Sequence, residues 1–341
     1  MAQLNRTDII AFTALSLDAN QHQGLPYGIP PWWCYSIAEV SMFTLFFMCL
    51  VHASGKGLRD VMYLTGGLVF GILLEYLEVM LGNYRYGTFA LMIGNAPFQV
   101  PLCIGAGWGI IMYTARLYTD HIQLPLLGAA AADTLIALCI DISMDVVAYR
   151  THMWHWDWTP MQLNPLTAQW FGIPFGNFVG WQVVVFSYSS LSRYFENRIC
   201  KRGSWSCSYV WIALISVCCS ITVLFFSTGA FHWLSKHVRF LSVHRFIGIT
   251  LMLFALVVNS WQKRLVPQTS LPKITMWVPG WFHLYFLSCF FVLGFYRENI
   301  WMTVAAIANG LTGCVFHLHL RKLTKNVEGL VDHPLPDKKE I

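Results

Sequence analysis

The chain is divided at regular intervals by apolar stretches of about 20 residues that carry almost no charge. A stretch of that length crosses ~30 Å of hydrocarbon as an α-helix. Inside a bilayer the backbone must satisfy its own hydrogen bonds, which a helix does within one segment. The stretches fall near residues 32–52, 60–82, 97–118, 123–149, 173–194, 206–234, 240–261, 275–296 and 300–320. Overall, 56% of the residues are hydrophobic and only 11% are charged, against roughly a quarter charged in soluble domains. One soluble core cannot hide that much apolar surface. The expected fold is all-α, a polytopic transmembrane bundle of eight or nine spans whose main partner is the lipid bilayer.

The net charge of +5 does not point to nucleic acid, because the basic residues are spread through the gaps between spans rather than gathered in one patch. They act as topology markers. Lys56, Arg59, Arg116, Arg193, Arg198, Lys201 and the basic tail from Arg321 fall on one side, and the smaller set of Arg6, Arg85, Arg150, Arg245 and Arg297 falls on the other. The positive-inside rule then puts the C-terminus in the cytoplasm and the N-terminus outside. Residues 1–29 lack the basic start, apolar run and cleavage site of a signal peptide, so targeting is expected to come from the spans. Residues 323–341 are expected to form a disordered tail. Cys139, Cys218, Cys219, Cys289 and Cys314 lie inside spans without paired spacing and are read as small packing residues.

Ionisable groups are costly in a membrane span and mark functional sites by default. Here they concentrate in the first half. The second span holds Glu75 and Glu78, one turn apart on one face. The fourth holds Asp133, Asp141 and Asp145, and Asp141, Asp145 and Tyr149 form a stripe at steps of four. Even-numbered spans end on the same side, so Glu75 and Glu78 share a depth with Asp141 and Asp145. The loops that follow, GNYRYGTFALMIGNAPFQVP and YRTHMWHWDWTPMQLNPLTAQWFGIPFGN, emerge on that side as well. The second is long for a helix connection and rich in Trp, as expected of a binding loop or a cover.

At these residues the sequence resembles a family of carotenoid-synthesis membrane proteins that includes carotenoid end-group hydratases of the bisanhydrobacterioruberin hydratase type. The resemblance runs from about residue 60 to 195. It rests on Glu75 and Glu78, GNYRYG at 82–87, Pro97 and Pro101 ahead of Trp108, Asp141 and Asp145, Trp154 to Trp158, and GIPFGNFVGWQ at 172–182. One departure is Val146, where the family pattern places Pro after the second Asp. The division expected is a family-like catalytic region over 30–205 and a second helical region of unassigned role over 206–322.

The resemblance implies hydration of a terminal C=C bond in an apolar isoprenoid, a carotenoid. Protonating such an alkene gives a tertiary carbocation, so the site needs a carboxylic acid that keeps its proton, and burial beside a second carboxylate supplies one. Asp141 and Asp145 fit that role, with Glu75 and Glu78 as a second pair. Tyr84, Tyr86 and Trp181 are expected to bind substrate, and Tyr149, Trp154, Trp156 and Trp158 to bind it and to shield the cation with aromatic faces. Asn177 is expected to orient water. No metal or organic cofactor is required. Cyclisation or isomerisation uses the same cation chemistry without water and stays open on the sequence alone. So does a transporter or lipid-binding role, although the acidic first half and the second half lack the symmetry many transporters have. An oxygenase would need clustered His motifs, and the spacing of the twelve His provides none.

Overall fold

A computed structural model describes residues 29–325, apart from 157, 159–161, 165, 200–206, 238–241 and 262–269. Most of both tails therefore lies outside the described residues. Nine long helices occur among those described: α1 (Trp32–Lys56), α2 (Leu58–Met80), α3 (Leu102–His121), α4 (Leu126–Arg150), α5 (Phe175–Ile199), α6 (Ser208–His237), α7 (Ser242–Trp261), α8 (Ile274–Val292) and α9 (Ile300–Lys325). Four short strands lie in the loops: β1 (Arg85–Tyr86), β2 (Met92–Asn95), β3 (Phe98–Pro101) and β4 (Trp154–His155). The fold is an all-α bundle, and the final helix runs three residues into the expected C-terminal tail.

Among the described residues, seven helices are long and apolar enough to cross a membrane, which makes the chain an integral multi-pass membrane protein. The other two, α3 and α5, are less apolar because α3 ends with Arg116, Asp120 and His121 and α5 with Arg193, Glu196 and Arg198. Of the two, α3 sits where lipid does not reach. α3 is buried from Cys103 to Thr119, enclosed by α1, α2, α4 and α8. Its approach to α2 depends on glycine, since a β-carbon on Gly67 would stand 3.2 Å from the Gly109 Cα and one on Gly71 only 2.6 Å from the Trp108 Cβ. Small residues that let two helix backbones touch are the usual packing device in membranes.

The third helix begins at Leu102 rather than at 97 as the hydropathy suggested. Residues 98–101 form the second strand of a β2–β3 hairpin, and Pro101, which lacks an N–H, stands just ahead of the helix. Glu39 of α1 holds this hairpin by accepting the backbone N–H groups of Ala90 and Leu91 at 2.8 and 2.9 Å. β1 pairs antiparallel with β4, setting Arg85 opposite His155 and Tyr86 opposite Trp154. The loops after α2 and α4 are thereby tied together at one end of the bundle.

The opposite end is held by charge. Arg116 meets Glu196 at 2.6 Å, Arg193 meets Asp133 at 3.0 Å, and Arg59 reaches both Asp120 and Glu196 at 3.0 Å. Arg116 and Arg193, read in the sequence as topology markers, are therefore buried ion-pair partners. Asp133 also accepts hydrogen bonds from Thr119 and Ser189 at 2.7 and 2.6 Å. It shares a helix with Asp141 but belongs to a separate cluster, because eight residues of helix carry it about 12 Å along the axis. The later helices pack onto the earlier ones: α6 lies on α2 and α5, α7 on α4 and α5, and α8 on α3 and α4.

Candidate functional site

The end tied by β1 and β4 encloses a cavity of about 430 Å³, within the ~300–1,000 Å³ usual for small-molecule sites. Its polar wall carries Glu75 and Glu78 of α2, Asn83, Tyr84 and Tyr86 of the following loop, and Asp145 of α4. Asn177 and Trp181 of α5 join it, with Trp154 and Trp156 of the second loop. Met42, Ile104, Ile111, Met144 and Phe282 make its apolar depth. Helices α2 and α4 both end here, which brings their carboxyl groups to one level.

Three donors converge on Glu75. The Tyr84 hydroxyl and the Tyr86 hydroxyl, the latter at 2.6 Å, donate to Oε2, and the Trp108 indole donates to Oε1 at 2.6 Å. Burial, and then the charge of Glu75, push both phenols well above their ordinary value, so they stay neutral donors throughout the physiological range. Trp108 reaches Glu75 because Gly71 leaves room for it, and its ring stacks on Trp181 with centroids 4.0 Å apart. Glu78 is less enclosed and receives the Asn83 amide at 2.5 Å.

Asp145 opens on the cavity with both oxygens engaged, Oδ1 by the Trp154 indole at 3.2 Å and Oδ2 by the Asn177 amide at 2.5 Å. Asp141 does not line the cavity. It sits fully buried behind Asp145 and takes the same Asn177 amide at 3.3 Å. The second Asp141 oxygen is buried without a partner. Asn177 thus spends its amide nitrogen on bridging the two aspartates.

The aromatic residues form a box over this pair. Tyr84 packs on Tyr86 and on Trp156, with centroids 5.6 and 5.8 Å apart, and Tyr86 packs edge-on against Trp154 at 6.0 Å. Two of the aromatics expected in the site stand behind its wall. Tyr149 supports Trp156 from outside at 5.9 Å, and Trp158 spends its indole N–H on the Gly172 carbonyl at 2.9 Å. The loop after α4 folds over this end, with Trp154, Trp156 and Trp158 all buried.

Sequence reasoning does not assign Trp108 or Asn83 to the site, although both lie in quoted motifs, nor any residue after 205. Yet Leu224, Ser227, Thr228 and Phe231 of α6, Arg245 of α7 and Phe282 of α8 all line the cavity. A clue for Trp108 is a bulky indole set among Gly105, Gly107 and Gly109. Arg245, near the start of an apolar span, reads in the sequence only as a topology marker.

A family described as carotenoid biosynthesis protein matches residues 32–241, more than half of the chain. The match takes in α1 and α6 and so extends beyond the motifs between 60 and 195. No curated protein and no solved structure matches the chain.

Proposed function

The chain belongs to the carotenoid biosynthesis protein family, and from that premise we propose that it is a membrane hydratase adding water across the terminal C=C bond of an acyclic carotenoid. The observation that carries this reading is the buried pair Asp141 and Asp145, bridged by one Asn177 amide at the wall of an aromatic cavity, since two buried carboxyl groups side by side keep a proton between them. Asp145 faces the alkene and delivers the proton. The π electrons form the new C–H bond, leaving a tertiary cation on the neighbouring carbon. Trp154, Trp156, Tyr84 and Tyr86 surround that cation with electron-rich faces that cannot capture it. Glu75 acts as the counter-charge, because the three donors directed at its oxygens favour its ionised form.

A water lone pair then forms the C–O bond, and the carboxylate left on Asp145 takes the released proton. The pair is restored, and the sum of the steps is addition of one water. Glu78 and Asn83 give the cavity a polar rim through which water enters, and this favours hydration over a cyclisation that requires a dry site. Asp141 is a positioning residue, since it reaches the substrate only through Asp145. The excess of Lys and Arg at the opposite end supports a cytoplasmic C-terminus and an outward-facing site.

Expression in a host that accumulates an acyclic carotenoid, followed by mass spectrometry of the pigments, tests the reading. A product heavier by one water is expected, and in deuterated water it should hold non-exchangeable deuterium on the carbon beside the new alcohol. An isomeric product of unchanged mass would replace hydration by cyclisation or isomerisation.

A further inference from the structure

A cavity of about 430 Å³ holds the end group of a carotenoid but not its full length, so the rest of the chain must leave through an opening. Three helices frame one. On α5, Gly176, Gly180 and Val183 line the cavity at steps of four and three, and a β-carbon at either glycine would meet no atom within 4 Å. Facing them on α6 are Leu224, Thr228 and Phe231, again on one helical face.

The third side is α7. Although α6 and α7 follow each other in sequence, they hardly pack together among the described residues, since α6 rests on α2 and α5 while α7 rests on α4 and α5. Arg245 crosses the gap: its guanidinium donates to the Phe231 carbonyl at 3.1 Å and lies 5.5 Å from the centre of the Phe231 ring.

We propose that the slot between α5, α6 and α7 is a binding site for the body of a long acyclic polyene, which enters sideways from the bilayer and leaves only its end group inside the cavity. The inference rests on the isoprenoid reading of the site and gives the helices after residue 205 a role in it. Gly176 and Gly180 keep one rim flat so that an extended chain can lie against the helix. Arg245 fixes the separation of α6 and α7, and thereby the width of the slot.

The test compares two ligands in purified protein: a full-length acyclic carotenoid, and a short polyene with the same end group that terminates within the cavity. Binding is read from the circular dichroism that the protein induces in the polyene absorption band, so it does not depend on turnover. Gly176→Leu and Thr228→Trp narrow the slot from its two rims. Each is expected to weaken the long ligand by about tenfold or more, equivalent to one or two methylene groups left unburied, while the short ligand changes far less. Equal effects on both ligands in both variants, or none on the long one, would overturn the slot while leaving the isoprenoid reading intact. Failure of the unsubstituted protein to bind either ligand would refute both.

Discussion

Replacing Asp141 by Asn separates proton delivery from architecture. Asp141 is fully buried and does not line the cavity, so the substitution alters no surface that substrate touches. The new amide can turn an N–H toward Asp145 in place of the shared proton, and it gives up only the longer, 3.3 Å hydrogen bond from Asn177. Stability should therefore change by no more than ~0.5–1.5 kcal/mol. What disappears is a transferable proton. General acid catalysis by a placed carboxyl contributes ~10²–10⁴ in rate, so the barrier should rise by ~3–5 kcal/mol.

Asp145→Asn makes the informative contrast. Two donors, Trp154 and Asn177, fix separate oxygens of Asp145, and an amide offers only one acceptor. One donor must then face an NH₂ group, which costs ~1–3 kcal/mol of stability in addition to the lost activity. The assay is initial rate on a purified acyclic carotenoid beside thermal unfolding in the same detergent. Hydration by Asp141→Asn within about twofold of the normal rate, well short of the loss expected for a missing general acid, would refute the shared-proton mechanism. A stability loss equal to that of Asp145→Asn would make Asp141 a structural residue.

Three further outcomes follow from other parts of the bundle. Trp108→Phe should keep the stack on Trp181 but remove a donor from Glu75, costing ~1.5–3 kcal/mol; unchanged unfolding temperature and unchanged rate would refute the clamp on Glu75. Arg193→Met should leave Asp133 buried without its cation and destabilise the bundle by ~3–5 kcal/mol with no change in product, and the Arg193→Met/Asp133→Leu double variant should recover much of that loss in a thermal melt. Tyr84 and Tyr86, with phenols raised in the folded state, contribute stability that is fully present below pH ~10, where unfolded Tyr titrates, and is lost as pH climbs through their folded values. Alkaline titration of phenolate absorbance should therefore lose amplitude in Tyr84→Phe only above pH ~10, and a difference near pH ~10 itself would contradict the burial.

Hydropathy alone set the class of the fold, because ~20 apolar residues in a row have one stable form in lipid and that property is local to the segment. Helix parity added that Glu75, Glu78 and Asp145 end at one level, and hydropathy put a span near 173–194, where α5 brings Asn177 and Trp181 to the cavity. Outside the acidic faces of the second and fourth spans, which face of a span meets lipid and which meets protein was not legible, since both are apolar in a membrane. That choice belongs to the tertiary packing. Packing set Asp141 behind Asp145, divided Asp133 from both, turned the amide of Asn177 toward the aspartates, and brought Trp108 to Glu75 across a gap opened by Gly71. It also built one side of the cavity from α6, α7 and α8, because residues far apart in sequence meet only when the whole bundle closes, and no local pattern records such a meeting.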